Sequence, residues 1–283
     1  MSNEVYIPQM GKRYPANDHQ HMFVLKEVYN IKVDENFPYI DKSFAFRFKQ
    51  FFFHIAEVLV GYPVSWFRYQ TKVVGRKEWN KNKKLLRDTG IITTCNHVLD
   101  WDMLLILNSL RRGFTNAPMW LDGMKDNKMP LYRLNGGIPV PKGIRPLYKF
   151  NEAIKSVLDN NGWVQIYPEA ACWHYYPYLR EFFNGACTIS YRNNVPIIPL
   201  AITFRERKGL TKLFFGKEPL ATLNIGKPIY PNVNAQRDEE IKRIFSEVRR
   251  QTLSMMNIDT EENNTKFIAQ QILEGIRETE KAE

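Results

Sequence analysis

A histidine and an aspartate five residues apart, His97 and Asp102, are the side chains of this chain best suited to chemistry. They lie in the run Thr94-Cys95-Asn96-His97-Val98-Leu99-Asp100-Trp101-Asp102, between an apolar stretch over 90–94 and a helix-forming run over 103–110. On one continuous helix, neighbours are three or four apart, so residues five apart face different ways. The pair can meet only if the chain turns between them. That puts His97 on a loop and Asp102 in the first helical turn, where a carboxylate also suits the helix dipole. A carboxylate orienting an imidazole is the arrangement general-base catalysis uses. The competing reading is a capping aspartate beside an unrelated surface histidine.

The elements that must position this pair follow from hydrophobic patterning. Strands are predicted near 73–75, 90–94, 118–121, 163–167, 195–204 and 220–225, and helices over 103–110, 125–134, 147–158 and 185–192. The stretch 73–84 reads otherwise as a polar connector. Alternating strands and helices imply an α/β fold, a central mixed sheet flanked by helices. Residues 1–42 look irregular. A helix over 43–60 carries one narrow polar stripe, Arg47, Gln50, His54 and Glu57, in an otherwise greasy surface that includes Phe44, Phe48, Phe51, Phe52, Ile55 and Leu59. Such a helix is a core element or an interfacial amphipathic one, and the clustered phenylalanines favour the membrane. Tyr62, Trp66, Phe67 and Tyr69, with Arg68 and Lys72, add interface-type anchors. Two C-terminal helices carry the packing stripes Ile241, Ile244, Phe245, Val248 and Ile268, Ile272, Ile276. The expected organisation is an N-terminal arm and docking helix (1–69), a catalytic unit (70–230), and C-terminal helices packed on the same unit (231–283).

Bulk properties narrow the partners. Forty Lys and Arg against 30 Asp and Glu give a net charge of +10, which favours an anionic partner: nucleic acid, an anionic membrane or an acidic carrier protein. An aromatic content of 13% fits a membrane interface and also single-stranded nucleic acid, but no basic-aromatic nucleic-acid motif accompanies it. Cys95, Cys172 and Cys187 are odd in number and lack metal-type spacing, so neither a disulfide framework nor a metal site is expected, and a reducing compartment is. Residues 1–13 are polar without a secretory apolar core, and no apolar run approaches the ~20 residues of a spanning helix.

Four blocks occur in order: Asn96-His97 with Asp102; Gly137-Ile138-Pro139-Val140-Pro141-Lys142; Tyr167-Pro168-Glu169; and Val195-Pro196-Ile197-Ile198-Pro199. Together they resemble the four blocks of the glycerolipid acyltransferases, the lysophosphatidic acid acyltransferase-like (phospholipid/glycerol acyltransferase) superfamily, over roughly residues 70–230. The resemblance implies an O-acyltransferase moving a fatty acyl group from acyl-CoA or acyl-carrier protein to a lysophospholipid or related glycerolipid hydroxyl. No further cofactor is implied. It makes His97 the base and Asp102 its orienting carboxylate, and assigns substrate binding to Asn96, Gly137, Lys142, Pro168 and Glu169. Backbone N–H groups at Gly136-Gly137 would supply an oxyanion site, Lys142 would meet a phosphate, and Glu169 the acceptor. It also implies a peripheral protein on the cytoplasmic face, against anionic lipids.

The chain departs from the family at three places, the first being Lys142, where an arginine is common. Leu99 stands where a serine is common, and Cys95, the nearest potential nucleophile, reads as a small buried strand-end residue. Where the family's third block continues Gly-Thr-Arg, this chain has Ala170-Ala171-Cys172 and then Trp173-His174-Tyr175-Tyr176. The phosphate-binding arginine is therefore missing. Arg180 is a candidate replacement that nothing in the sequence places, and His174 reads as an aromatic-cluster or surface histidine rather than a second base. Glycerophospholipid and glycolipid acceptors both stay open, as does a non-catalytic lipid- or carrier-binding homologue.

Overall fold

Runs of apolar residues without alternation set the centre of the molecule. The computed structural model describes residues 5–22, 32–120 and 129–278. Its strands are β1 (Lys72–Val74), β2 (Ile91–Thr94), β3 (Ala117–Trp120), β4 (Gly137–Val140), β5 (Trp163–Ile166), β6 (Ile197–Arg205) and β7 (Leu220–Ile225). Five form a sheet in the order β1-β7-β6-β2-β5, parallel throughout except for β6 with β7. β2 and β7 are buried at every position, as strands covered on both faces must be. The hydroxyl that this burial traps on Thr93 accepts from the Trp163 indole at 2.6 Å.

β3 and β4 pair in parallel as a separate ribbon, joined to the edge of β5 by a parallel bridge between Asn116 and Val164. The C-terminal ends of β2, β3, β4, β5 and β6 therefore emerge on one side. That is the side on which open α/β sheets build their sites.

The helices are α1 (Phe44–Pro63), α2 (Arg76–Arg87), α3 (Asp102–Leu110), α4 (Met129–Leu134), α5 (Ile144–Asp159), α6 (Gly185–Asn193), α7 (Thr211–Phe215), α8 (Arg237–Met255) and α9 (Glu261–Leu273). The α/β expectation holds, with differences. The supposed polar connector is mostly α2, whose Trp79 and Leu86, two helical turns apart, are both buried. Gly75 precedes it at φ +84°, where a Cβ would lie 2.3 Å from the Ile225 carbonyl oxygen. The helix expected over 125–134 is seen as α4, its first four residues lying outside the described ones. Ile276, last of the α9 stripe, falls beyond that helix, and the neighbouring Arg277 pairs with Tyr14 of the N-terminal arm. Tyr14 belongs to the same hydrophobic cluster as the sheet, stacking on Trp173 at 5.5 Å.

α1 is turned with Gln50, His54 and Glu57 of its polar stripe inward, while Arg47 stays exposed. Glu57 is buried and the Gln50 amide donates to the Leu134 carbonyl at 3.4 Å. Gly61 lets α1 cross α3 closely, since a Cβ there would sit 2.6 Å from the Asn108 amide nitrogen. Phe44, Phe48, Phe51, Phe52, Ile55 and Leu59 face outward. The core reading of this helix is thereby removed for the described residues. No helix among them is long and apolar enough to cross a membrane.

Candidate active site

β2 ends at Thr94, and the chain turns through 95–101 before α3 begins at Asp102. Asn96 fastens the start of the turn: its amide donates to the Ile202 carbonyl at 2.9 Å and accepts from the Ile202 N–H at 2.8 Å. Asp102, in the first turn of α3, lies 2.8 Å from Nδ1 of His97 through Oδ2. The same oxygen accepts from the Val98 N–H at 2.9 Å, so it acts as an acceptor and Nδ1 carries the proton. Asp102 is buried, while the His97 side chain stays 28% exposed. One face of its ring stacks on Tyr167 at 4.2 Å. Nε2 is therefore left as the basic atom.

The loop after β5 holds the His97 backbone from both sides. Its N–H donates to Oε2 of Glu169 at 2.9 Å, and its carbonyl accepts from the Trp173 N–H at 2.9 Å. Val98 is gripped likewise, its carbonyl accepting from the Tyr175 N–H at 2.9 Å. The loop after β5 thus acts as a brace for the histidine loop.

Electrostatics agree with a proton-transfer site lacking a thiolate. Burial raises the Asp102 carboxyl above its ordinary range, opposed by hydrogen bonds from His97 and the Val98 and Leu99 amides. Burial also pushes the Cys95 and Cys172 thiols and the Tyr167 phenol well up, keeping all three protonated near neutrality. His21, stacked on Trp120 at 4.0 Å, is lowered to about 4 by burial and by the charges of His97 and Arg180. Asp100 lies 2.8 Å from Nε2 of His174, a hydrogen bond that lowers its carboxyl, with His97 and Arg68 adding to the effect. Among the described residues, no three His, Cys, Asp or Glu side chains gather as a metal site would require.

Other residues expected at the site land elsewhere. Glu169 and Arg180 are both fully buried and paired at 2.7 Å, and the Arg180 N–H takes the remaining Glu169 oxygen at 3.1 Å. Both Glu169 oxygens are thus engaged within the protein, and Arg180, also lying over the Trp173 ring at 4.5 Å, is held by Glu169 in the interior. Asn96, expected to touch substrate, has its amide committed to β6. Pro168 is buried, its carbonyl accepting from the Phe183 N–H at 2.9 Å. Gly137 opens β4 and Lys142 follows its far end, so roughly 13 Å of strand separates them. Only exposed Lys142 is on the His97 side of the sheet. Gly136 N–H already donates to the Arg133 carbonyl at 3.0 Å, so the Gly136-Gly137 pair is not an oxyanion site for His97. Gly137 is instead a packing glycine: a Cβ there would meet the Met119 sulfur at 2.3 Å.

Sequence reasoning missed Tyr167 as the stacking partner and the Asp100–His174 pair, and it read Arg68 only as an interface anchor. Arg68 is bound by Glu218, its Nη2 lying 2.8 Å from Oε1. Arg68 and Glu218 are 150 residues apart, and no local signal joins them.

Residues 76–203 match the family model described as Acyltransferase, a span that holds all four blocks and the His97–Asp102 pair. By that match residues 76–203 are similar to the acyltransferase family, and they are the part of the chain that carries the histidine loop, its brace and the core of the sheet. Among solved structures it is similar to the 1-acyl-sn-glycerophosphate (LPA) acyltransferase PlsC from Thermotoga maritima, at 18% identity and a TM-score of 0.45, over 72% of this chain and 77% of that one. No curated protein matches the sequence at a significant level.

Proposed function

We propose that this chain transfers a fatty acyl group from acyl-CoA or acyl-carrier protein to a free hydroxyl of a lysophospholipid-type glycerolipid at an anionic membrane surface, as a peripheral protein of the cytoplasmic face. The observation that carries the reading is the 2.8 Å contact between His97 Nδ1 and a buried Asp102, on an imidazole that stays open to substrate. In this reaction Nε2 of His97 takes the proton of the acceptor hydroxyl as its oxygen attacks the thioester carbonyl. The C–O bond forms, and the tetrahedral intermediate expels the thiolate as the C–S bond breaks. The thiolate then leaves as the thiol with the proton from His97. A thiol with a pKa of about 8.5 is a far better leaving group than an alkoxide, so no acyl-enzyme is needed. The raised Cys95 and Cys172 thiols support that direct route.

A phosphate on the acceptor needs cations. With Cys172 in place of the family's arginine, Lys142 on the rim and Arg68 beside Glu218 are the cations this reading assigns to it. The outward apolar stripe of α1 supports the membrane surface, since contiguous exposed apolar patches mark interaction sites.

The test is product analysis by mass spectrometry, with a panel of lysophospholipids and glycolipids and both thioester donors. His97→Ala is expected to lower turnover by about 10²–10⁴ while leaving folding and vesicle binding intact. Wild-type turnover in that variant would overturn the mechanism. Acylation of glycolipids alone would move the acceptor class, and absence of transfer to every acceptor would favour a binding homologue.

A further inference from the structure

The segment between β6 and β7 holds α7, with three large apolar side chains in the open on it and at its start. Leu210, Leu213 and Phe214 are 78%, 81% and 74% exposed. Single exposed apolar residues are ordinary, but three on one short element form a patch. Nor is α7 a loose excursion. Its Phe215 ring meets Phe67 edge-on at 5.6 Å, Gln70 donates to the Thr211 hydroxyl at 3.2 Å, and the buried Arg207 lies over Phe215 at 4.8 Å. These contacts clamp α7 onto the π-helical turn, Val64–Arg68, that ends α1.

The outward stripe of α1 arrives at the same place. Phe44, Phe48, Phe51 with Phe52, Ile55, Leu59 and Tyr62 recur at steps of three and four, and the next step is exposed Trp66, beside Phe67. α7, through Phe215 on Phe67, therefore stands beside the end of that stripe. Lys212 and Lys217, both exposed, stand beside its apolar side chains, as interfacial anchors on anionic lipid do. α1 alone, at 20 residues, is about 30 Å long. A face of that length with a basic fringe suits a bilayer surface better than one small partner.

We propose that α7 is a second membrane-docking element, acting with α1 to seat the protein on an anionic bilayer. It is tied to the chemistry through Tyr175, whose amide braces the His97 loop and whose hydroxyl donates to Glu218 at 2.7 Å, close to the β6–β7 segment. The inference rests on the membrane-surface reading of α1, and the two are separable by experiment.

Binding of full-length protein is measured by co-sedimentation with phosphatidylcholine vesicles, with and without phosphatidylglycerol. Leu213→Ser/Phe214→Ser is expected to lower partitioning about tenfold or more, since both side chains would lose apolar burial. Lys212→Glu/Lys217→Glu is expected to weaken binding to the phosphatidylglycerol vesicles and to leave phosphatidylcholine binding unchanged. Unfolding midpoints equal to wild type identify both as surface effects. If the Leu213/Phe214 variant partitions within twofold of wild type, the proposal fails, including the case where it loses only acyl-carrier protein binding. Phe48→Ser/Phe51→Ser tests α1 separately. Release by that variant alone refutes the role of α7 and keeps that of α1, while release by the α7 variant alone does the reverse.

Discussion

Replacing Glu169 by glutamine separates a brace from an acceptor ligand. The carboxylate receives three donors, the His97 N–H at 2.9 Å, the Arg180 N–H at 3.1 Å and Arg180 Nη2 at 2.7 Å. Neither side chain reaches solvent. Glutamine keeps the shape but offers one acceptor oxygen and points its NH₂ at a donor. It also leaves the guanidinium buried without a counter-charge. Removing one member of a buried pair costs about 3–5 kcal/mol, and the retained hydrogen bond puts Glu169→Gln near 3. At roughly 2–4 °C per kcal/mol for a chain of this size, the melting midpoint should fall by about 6–12 °C. The His97 loop loses an anchor as well, so kcat should drop with the acceptor KM little changed. Differential scanning fluorimetry and steady-state kinetics below the transition measure both. Adding Arg180→Met, which removes the stranded charge, should recover part of the midpoint. A midpoint within 2 °C of wild type (about 0.5–1 kcal/mol at this size) with a raised acceptor KM would refute the bracing role and return Glu169 to the acceptor.

Other outcomes follow from single observations. Cys95→Ala should keep turnover within about twofold, as a protonated, buried thiol contributes packing and not attack; loss of all transfer in a folded variant would point to an acyl-cysteine. Ala170 sits at φ +58°, where the family carries glycine, so Ala170→Gly should stabilise by about 0.5–1 kcal/mol, the relief of left-handed strain less the added freedom of the unfolded chain; an unchanged or lower midpoint counts against it. His21, at 6.5 unfolded and about 4 folded, binds fewer protons in the native state within that window. Stability is therefore lost as pH falls from 6.5 towards 4. His21→Phe, which keeps a ring on Trp120, should flatten the midpoint-against-pH curve there, and parallel curves for the two proteins would exclude the effect.

Much of the site was legible because it is local. His97 and Asp102 are five residues apart across a strand-to-helix boundary, and apolar run, polar turn and helix former mark that boundary in the sequence. The buried strands were legible too, since a strand covered on both faces cannot alternate. The braces were not. Asn96 holds Ile202 across 106 positions and Glu169 pairs with Arg180 through an irregular loop, contacts that no periodicity encodes.

The sequence by itself determined the four blocks, the local placing of His97 and Asp102 across a strand-to-helix turn, and the two-faced character of α1. Only the tertiary structure decided which side of each faces what. A helix of phenylalanines with one polar stripe has the same pattern whether grease or polarity packs inward, and Gly61 against α3 settles it by close approach. Gly137 and Lys142 share a block, but parallel strand order sends one to each end of the sheet. Glu169 and Lys142 are both charged block residues, yet one is sealed against Arg180 and the other stands on the rim. A charge is buried only where folding brings it a partner, and that partner is chosen by the path of the chain through space.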